Sequence, residues 1–160
     1  MQEKQVLVKK ENLAVYDKVS DKIFAGGLPK VTLLFAATPY ANAGAALVHF
    51  PRGVRTAWHT HPAGQNLIVT QGKIYTGTAD GIIQIARPGD VVLCPPGVKH
   101  WHGAGLHEDG EHIAVTFEKD GKNVTWLEHL SEDEYKSLVE KADAKDAEQY
   151  LPDRIYGSCR

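Results

Sequence analysis

Short apolar or alternating runs of residues follow one another through the middle of the chain. Each run is four to six residues long and is separated from the next by a turn that contains Gly or Pro. Runs of this kind predict β-strands, here at 31–36, 45–50, 66–70, 73–78, 82–85, 91–94, 112–117 and 124–127. Because no helical pattern interrupts them, we expect an all-β chain whose antiparallel strands form a barrel or a sandwich.

The pattern changes after Trp126, where apolar residues recur at helical spacing. Ser131 and Glu134 have the spacing of a capping box at the start of a helix. One apolar stripe follows, made of Tyr135, Leu138, Val139 and Ala142. The sequence therefore predicts a C-terminal α-helix packed on the outside of the barrel.

The length of 160 residues favours one domain. We expect an N-terminal extension or edge strands over 1–30, the barrel over 31–130, and the helix with a tail over 131–160. The tail carries apolar residues and one of the two cysteines, Cys159; the other, Cys94, lies in an apolar run and is expected to be a buried, inert thiol.

Charge and hydropathy exclude several classes of partner. Eighteen basic and 20 acidic side chains give a net charge of −2, so nothing favours nucleic acid. No stretch approaches the roughly 20 apolar residues that span a bilayer. A small molecule is the expected partner, and a free sheet edge favours a homodimer or larger homo-oligomer. Without the apolar core of a secretory signal, the chain is expected in the cytoplasm; the alternative is a periplasmic or secreted protein whose signal peptide has been removed.

Histidines are concentrated in one part of the chain. Six of the eight lie between His59 and His112. His59 and His61 are two residues apart, so on an extended strand their imidazoles lie on one face. Gln65 follows a Pro-Ala-Gly turn and His100 follows a Pro-Pro-Gly turn. This set predicts a site for one divalent transition metal ion.

The spacing of these residues resembles the two motifs of the cupin superfamily. The residues that fit the first motif are Gly53, His59, His61, Gln65 and Gly72. Those that fit the second are Gly89, Pro95, Gly97 and His100. Gln65 stands where the first motif has Glu, and Ala104 where the second has Asn. The resemblance implies a small antiparallel double-stranded β-helix, the jelly-roll barrel, with Mn, Fe, Ni or Zn inside.

Longer strings between about 45 and 130 look like the manganese-dependent cupin hydroxynitrile lyases of bacteria. They are also similar to cupins associated with carboxymuconolactone-decarboxylase-like proteins. The resemblance implies manganese as the expected metal, with the ligands His59, His61, Gln65 and His100. It also implies a substrate pocket lined by Ala46, Val48, Thr56, His102, His112 and Thr116.

This resemblance implies a reaction in which a cyanohydrin is cleaved to an aldehyde and cyanide. His112 is the candidate general base, with a pKa expected near the ordinary value of about 6.5, and His102 is a second catalytic or orienting group. Arg55 is an even number of positions from His59 and His61, so on a continuous strand its side chain lies on the same face. This suggests a positive group at the pocket mouth. The three tryptophans are expected in the core or on a dimer surface, because they fall mostly on the strand face opposite the candidate ligands. They are Trp58, Trp101 and Trp126.

Other functions remain open from the sequence. One alternative is a metal-dependent dioxygenase or an enzyme of lactone or aromatic degradation, and another is a non-catalytic protein that binds a metal or a small molecule. The neutral amide of Gln65 favours the lyase, because a site without an anionic ligand stabilises the divalent state and suits Lewis-acid chemistry.

Overall fold

The chain folds into two antiparallel sheets with a helix on the outside. The computed structural model describes residues 4–149, so the tail expected at 150–160 lies outside the described residues. The elements are β1 (Val15–Tyr16), β2 (Phe24–Ala25), β3 (Lys30–Phe35), β4 (Ala43–Phe50), β5 (Arg55–Thr56), β6 (His59–Thr60), β7 (Gln65–Gly72), β8 (Ile74–Thr78), β9 (Ile83–Ala86), β10 (Val91–Cys94), β11 (His100–Ala104), β12 (Gly110–Phe117), β13 (Thr125–Trp126) and α1 (Glu132–Gln149), with a 3₁₀ turn at Lys10–Asn12 before β1.

Strand order confirms the expected antiparallel all-β architecture. The first sheet has the order β1-β3-β4-β12-β7-β10, and the second runs β13-β6-β11-β5-β2 with β8 and β9 joined to it through β11. Both sheets include a strand from the first 30 residues, because β1 pairs with β3 and β2 pairs with β5. None of the helical stretches in the described part has the length and hydropathy that crossing a bilayer requires.

Strand register brings the inward side chains of the first sheet together. Val48 lies opposite His112, and Ala46 lies opposite Ala114. On the other side of β12, Thr116 lies opposite Gln65 at the start of β7. Because alternate residues of a strand share a face, these side chains all point into the space between the two sheets.

Two apolar clusters flank that space. One contains Phe50, Val54 and Ile74 inside the barrel. The other lies under α1, where Tyr135 and Val139 pack against Trp101. The predicted helix is confirmed, and so is its capping box: the Glu134 amide donates to Ser131 Oγ (3.1 Å), and the Ser131 amide donates to Glu134 Oε2 (2.8 Å).

Candidate metal centre

Three histidines from two strand regions converge in the barrel. His59 begins β6, His61 follows it, and His100 begins β11, where it lies directly opposite His59 in the register. One ring nitrogen of each lies within 4.8 Å of the others, and all three residues are buried. The sequence prediction that these histidines meet is confirmed.

Hydrogen bonds fix which nitrogen of each imidazole faces its neighbours. The Nδ1 atom of each ring is bound to a backbone carbonyl, and the acceptors for His59, His61 and His100 are Ala57 O (2.9 Å), Asn123 O (2.6 Å) and Val98 O (3.0 Å). A carbonyl only accepts, so each Nδ1 carries the proton and each Nε2 has a free lone pair. His61 Nε2 is buried and has no hydrogen-bond partner. Three converging lone pairs of this kind fit a divalent transition ion.

Gln65 places its amide oxygen near the Nε2 atom of His100. Its Nε2 donates to Thr116 Oγ1 (2.9 Å), and its Oε1 lies 3.5 Å from His100 Nε2. Gln65 Oε1 and the lone pair of His100 Nε2 are both acceptors, so they repel each other unless a cation lies between them. The turn before Gln65 needs glycine, because Gly64 has φ +87° and a Cβ there would lie 2.9 Å from the Cys94 carbonyl oxygen.

Burial keeps these imidazoles neutral. Removal from water lowers the pKa of His59 to about 2, with a further decrease from the neighbouring His100. The same desolvation lowers the pKa of His100 to about 4 and also lowers that of His61. The neutral imidazole is the form that binds a metal ion, so the group does not need to lose protons at neutral pH.

A cavity of about 540 Å³ is lined by His59, His61 and Gln65 of the candidate metal centre. Its wall is mainly apolar and includes all six of the residues that the resemblance placed there, Ala46, Val48, Thr56, His102, His112 and Thr116. The wall also contains side chains that the sequence did not identify, among them Phe24, Phe50 and Trp126. A mostly apolar cavity with a few convergent polar groups is typical of a small-molecule site.

His102 and His112 form a buried pair beside the candidate metal centre. His112 Nε2 lies 2.9 Å from His102 Nδ1, so one of the two nitrogens donates to the other. The remaining nitrogens, His102 Nε2 and His112 Nδ1, are buried without a hydrogen-bond partner. The His102 ring centroid lies 5.1 Å from that of His59. The expected pKa of His112 near 6.5 is wrong, because burial lowers it to about 3; burial also lowers the pKa of His102, and the pair is neutral at neutral pH.

The expected position of Arg55 at the pocket mouth is wrong. Its guanidinium lies over the Tyr135 ring (4.9 Å to the centroid) and donates to the carbonyl of Leu130. Arg55 is buried under the start of α1 and is not part of the cavity wall. Its neighbour Thr56 faces the cavity instead, because adjacent residues of a strand point to opposite faces.

The tryptophans and Cys94 divide between core and cavity. Trp101 is buried under α1, as expected for a core residue. The expectation is wrong for Trp126, which lines the cavity with its ring 4.6 Å from the His59 ring. The Cys94 thiol is buried, which raises its pKa to about 11 and keeps it protonated, as expected for an inert thiol.

Comparison with known proteins identifies the family. The sequence profile of the cupin domain matches residues 46–116. An (R)-mandelonitrile lyase of Granulicella tundricola is 44% identical over 110 residues, which are 69% of this chain and 84% of that enzyme. The chain belongs to the cupin family. The resemblance seen in the two sequence motifs is thereby confirmed.

Solved structures share the fold of this cupin. A cupin-like protein from Thermotoga maritima is 37% identical and superposes with a TM-score of 0.72, over 77% of this chain and 92% of that one. The polyketide cyclase RemF from Streptomyces resistomycificus is 16% identical, with a TM-score of 0.64 over 85% and 99% of the two chains. The second likeness concerns the fold alone.

Proposed function

We propose that this cupin is a metal-dependent carbon–carbon lyase that cleaves a neutral cyanohydrin to an aldehyde and hydrogen cyanide. The observation that carries the proposal is the His102–His112 pair, which lines the same cavity as His59 and His61 and has two buried nitrogens without a hydrogen-bond partner. The 44% identity to a protein named as a mandelonitrile lyase supports the same reaction.

The donor set determines what kind of metal the site would take. His59, His61, His100 and Gln65 would hold one divalent ion, with Mn(II) proposed first and Fe, Ni or Zn compatible with the same donors. All four donors are neutral. A divalent ion held by them keeps its full charge and supplies Lewis acidity, which lowers the pKa of an alcohol hydroxyl near it.

The histidine pair would carry the proton. In the tautomer where His112 Nε2 donates to His102 Nδ1, His112 Nδ1 has the free lone pair and accepts the hydroxyl proton of the cyanohydrin. The oxygen then forms the aldehyde carbonyl as the bond to the nitrile carbon breaks, and the electron pair leaves with cyanide. The imidazolium returns the proton to cyanide, which regenerates the neutral pair.

The rest of the cavity would hold the organic part of the substrate and exclude water. The wall near His112 includes the Phe50 ring, whose centroid is 5.3 Å from the His112 ring. Arg55 faces away from the cavity, so the wall offers no guanidinium from β5 to pair with a carboxylate. These contacts favour a neutral substrate with an apolar group.

Cyanide release from mandelonitrile tests the proposal. We expect the Mn(II)-loaded protein to release cyanide faster than the buffer does, and chelation of the metal to abolish the difference. His112→Ala removes the proposed base and should reduce kcat by about 100- to 10,000-fold. The exposed His107 offers a matched control, because His107→Ala leaves the cavity intact and should keep full activity.

Two results would contradict the lyase. One is that no cyanide appears with a set of aromatic and aliphatic cyanohydrins while these compounds still bind, which is the behaviour of a binding protein. The other is oxygen consumption by the Fe(II)-loaded protein with catechol-like substrates, which would indicate a dioxygenase.

A further inference from the structure

The segment 15–24, which we call the cap segment, forms part of the cavity wall although it precedes the region that matches the cupin domain profile. Tyr16, Val19, Ile23 and Phe24 of this segment all line the cavity. The strands that supply the candidate metal ligands begin only at β6. The cap segment is therefore separate in sequence from the candidate metal centre and joins the site through folding.

Both ends of the cap segment are fixed by strand pairing. Val15 at its start lies opposite Thr32 in β3, and Phe24 at its end lies opposite Thr56 in β5. A further bond from the Ala57 amide to the Ile23 carbonyl (2.7 Å) holds the second end. The segment thus connects the edges of both sheets, which fixes the wall that it forms.

The side chains of the cap segment connect to the proposed base through one aromatic contact. The Phe24 ring packs edge-on against the Phe50 ring, with centroids 5.9 Å apart. Phe50 in turn contacts both His112 and His102. A substrate whose hydroxyl reaches the histidine pair would place its apolar group along Phe50 toward Phe24.

We infer that the cap segment sets the upper size of the apolar group that the cavity accepts, and that Phe24 and Val19 are its specificity-determining side chains. The ligand class is a neutral alcohol or cyanohydrin with an aryl or alkyl substituent. The position of the ligand hydroxyl at the histidine pair rests on the proposed function. The size limit for the substituent rests on the residues of the cavity wall.

Two substitutions with opposite effects on cavity size test this inference. The probes are benzyl alcohol and 2-naphthylmethanol, which differ by one fused ring and are not cleaved. Their Kd values are measured by calorimetry on the full-length Mn(II)-loaded protein. Phe24→Ala should lower the Kd ratio of the naphthyl to the benzyl compound by about tenfold or more, because it opens the wall. Val19→Trp should raise the ratio by a similar factor, because it narrows the space.

Val15→Ala serves as the matched control, since Val15 belongs to the same segment but is half exposed and is not part of the wall. Its ratio should equal that of the wild type. If Phe24→Ala does not fold, as judged by circular dichroism and metal content, Val19→Trp decides.

The outcomes separate the inference from the proposed function. Ratios that stay within twofold of the wild type in both variants overturn the inference and leave the lyase proposal intact. Shifted ratios without any cyanide release support the inference and contradict the lyase. Failure of the wild type to bind either alcohol overturns the inference, and cyanide release from mandelonitrile then decides the lyase proposal separately.

Discussion

Single hydrogen bonds determine which atoms of the candidate metal centre face one another. Each candidate ligand histidine is oriented by a backbone carbonyl, whereas Gln65 is oriented by one side chain, that of Thr116. The bond that Gln65 Nε2 donates to Thr116 Oγ1 leaves Oε1 on the side of His100 Nε2. Thr116 would therefore orient Gln65 toward an ion bound by the three histidines, besides lining the cavity.

Thr116→Val should weaken metal binding, because it removes the hydroxyl but keeps the shape of the side chain. We expect the Kd for Mn(II) to rise by about 10- to 100-fold, the usual effect of losing a group that orients a ligand. Competition with a chelator measures it. Thr70→Val is the control, since the Thr70 hydroxyl donates to Glu111 instead. Equal affinities in the two variants would show that Gln65 needs no orientation or is not a ligand.

The buried histidines should make the metal-free protein sensitive to acid. The pKa of His112 is about 3 in the folded chain and about 6.5 when unfolded. Between these values the unfolded chain binds more protons, so stability is full above pH 6.5 and falls as the pH decreases toward 3. From pH 7.5 to 5.5 this one group should lower the free energy of unfolding by about 1 kcal/mol.

Urea unfolding in a chelating buffer at the two pH values measures this loss. His112→Gln should show a smaller loss than the wild type by about that amount. Parallel pH dependences in the two proteins would show that His112 takes up its proton without unfolding.

The alternation of side chains along a strand predicts that His59 and His61 share a face, but it gives the wrong position for Arg55. Alternate residues lie on one face only within one continuous strand. His59 and His61 are close enough to satisfy this condition, and the predicted convergence of their side chains is confirmed. Arg55 lies in β5 and His59 in β6, with the chain leaving extended pairing between them, so parity is lost. Thr56 faces the cavity although it is three residues from His59.

The sequence predicts the elements that have a strong periodicity, and it does not predict those in which no period is visible. The apolar stripe and the capping box predict the helix, and apolar runs predict most of the long strands. Strands β2 and β5 have only two residues each, too few for a period to be visible. Strand β11 is fully buried, yet its sequence is His-Trp-His-Gly-Ala, and no apolar run identifies it. The Pro-Pro-Gly turn before His100 is the sequence feature that marks the beginning of this strand.

The corrected position of Arg55 predicts a role in holding α1 against the barrel. Arg55→Ala removes the bond to the Leu130 carbonyl and the contact with the Tyr135 ring. We expect the free energy of unfolding to fall by about 2–4 kcal/mol, with the Kd for Mn(II) unchanged. Arg52→Ala, at an exposed site, should change neither quantity. An Arg55→Ala variant that has normal stability but a higher Kd for Mn(II) would instead indicate that Arg55 acts in the cavity.

Across the whole molecule, the candidate ligands come from both sheets. His59 and His100 lie in the second sheet and Gln65 in the first. Any ion bound by all of them links the two halves of the barrel, and that link is absent when the chain unfolds. Metal binding at this centre would therefore be coupled to folding.

Mn(II) at 100 times its Kd should raise the free energy of unfolding by about 2.7 kcal/mol. Denaturant titrations with Mn(II) and with a chelator measure the difference. His61→Ala, which loses one ligand, should show a much smaller increase. An equal increase in this variant would indicate binding elsewhere on the surface.

The Trp126 indole beside His59 gives this protein an optical reporter of its own. Trp101 and Trp58 pack with the cluster under the helix, so Trp126 is the tryptophan in contact with a proposed ligand. A paramagnetic ion such as Mn(II) at that distance should quench its emission. Trp126→Phe should then abolish most of the quenching and Trp58→Phe should not, which would let occupancy of the barrel be followed in real time without any added dye.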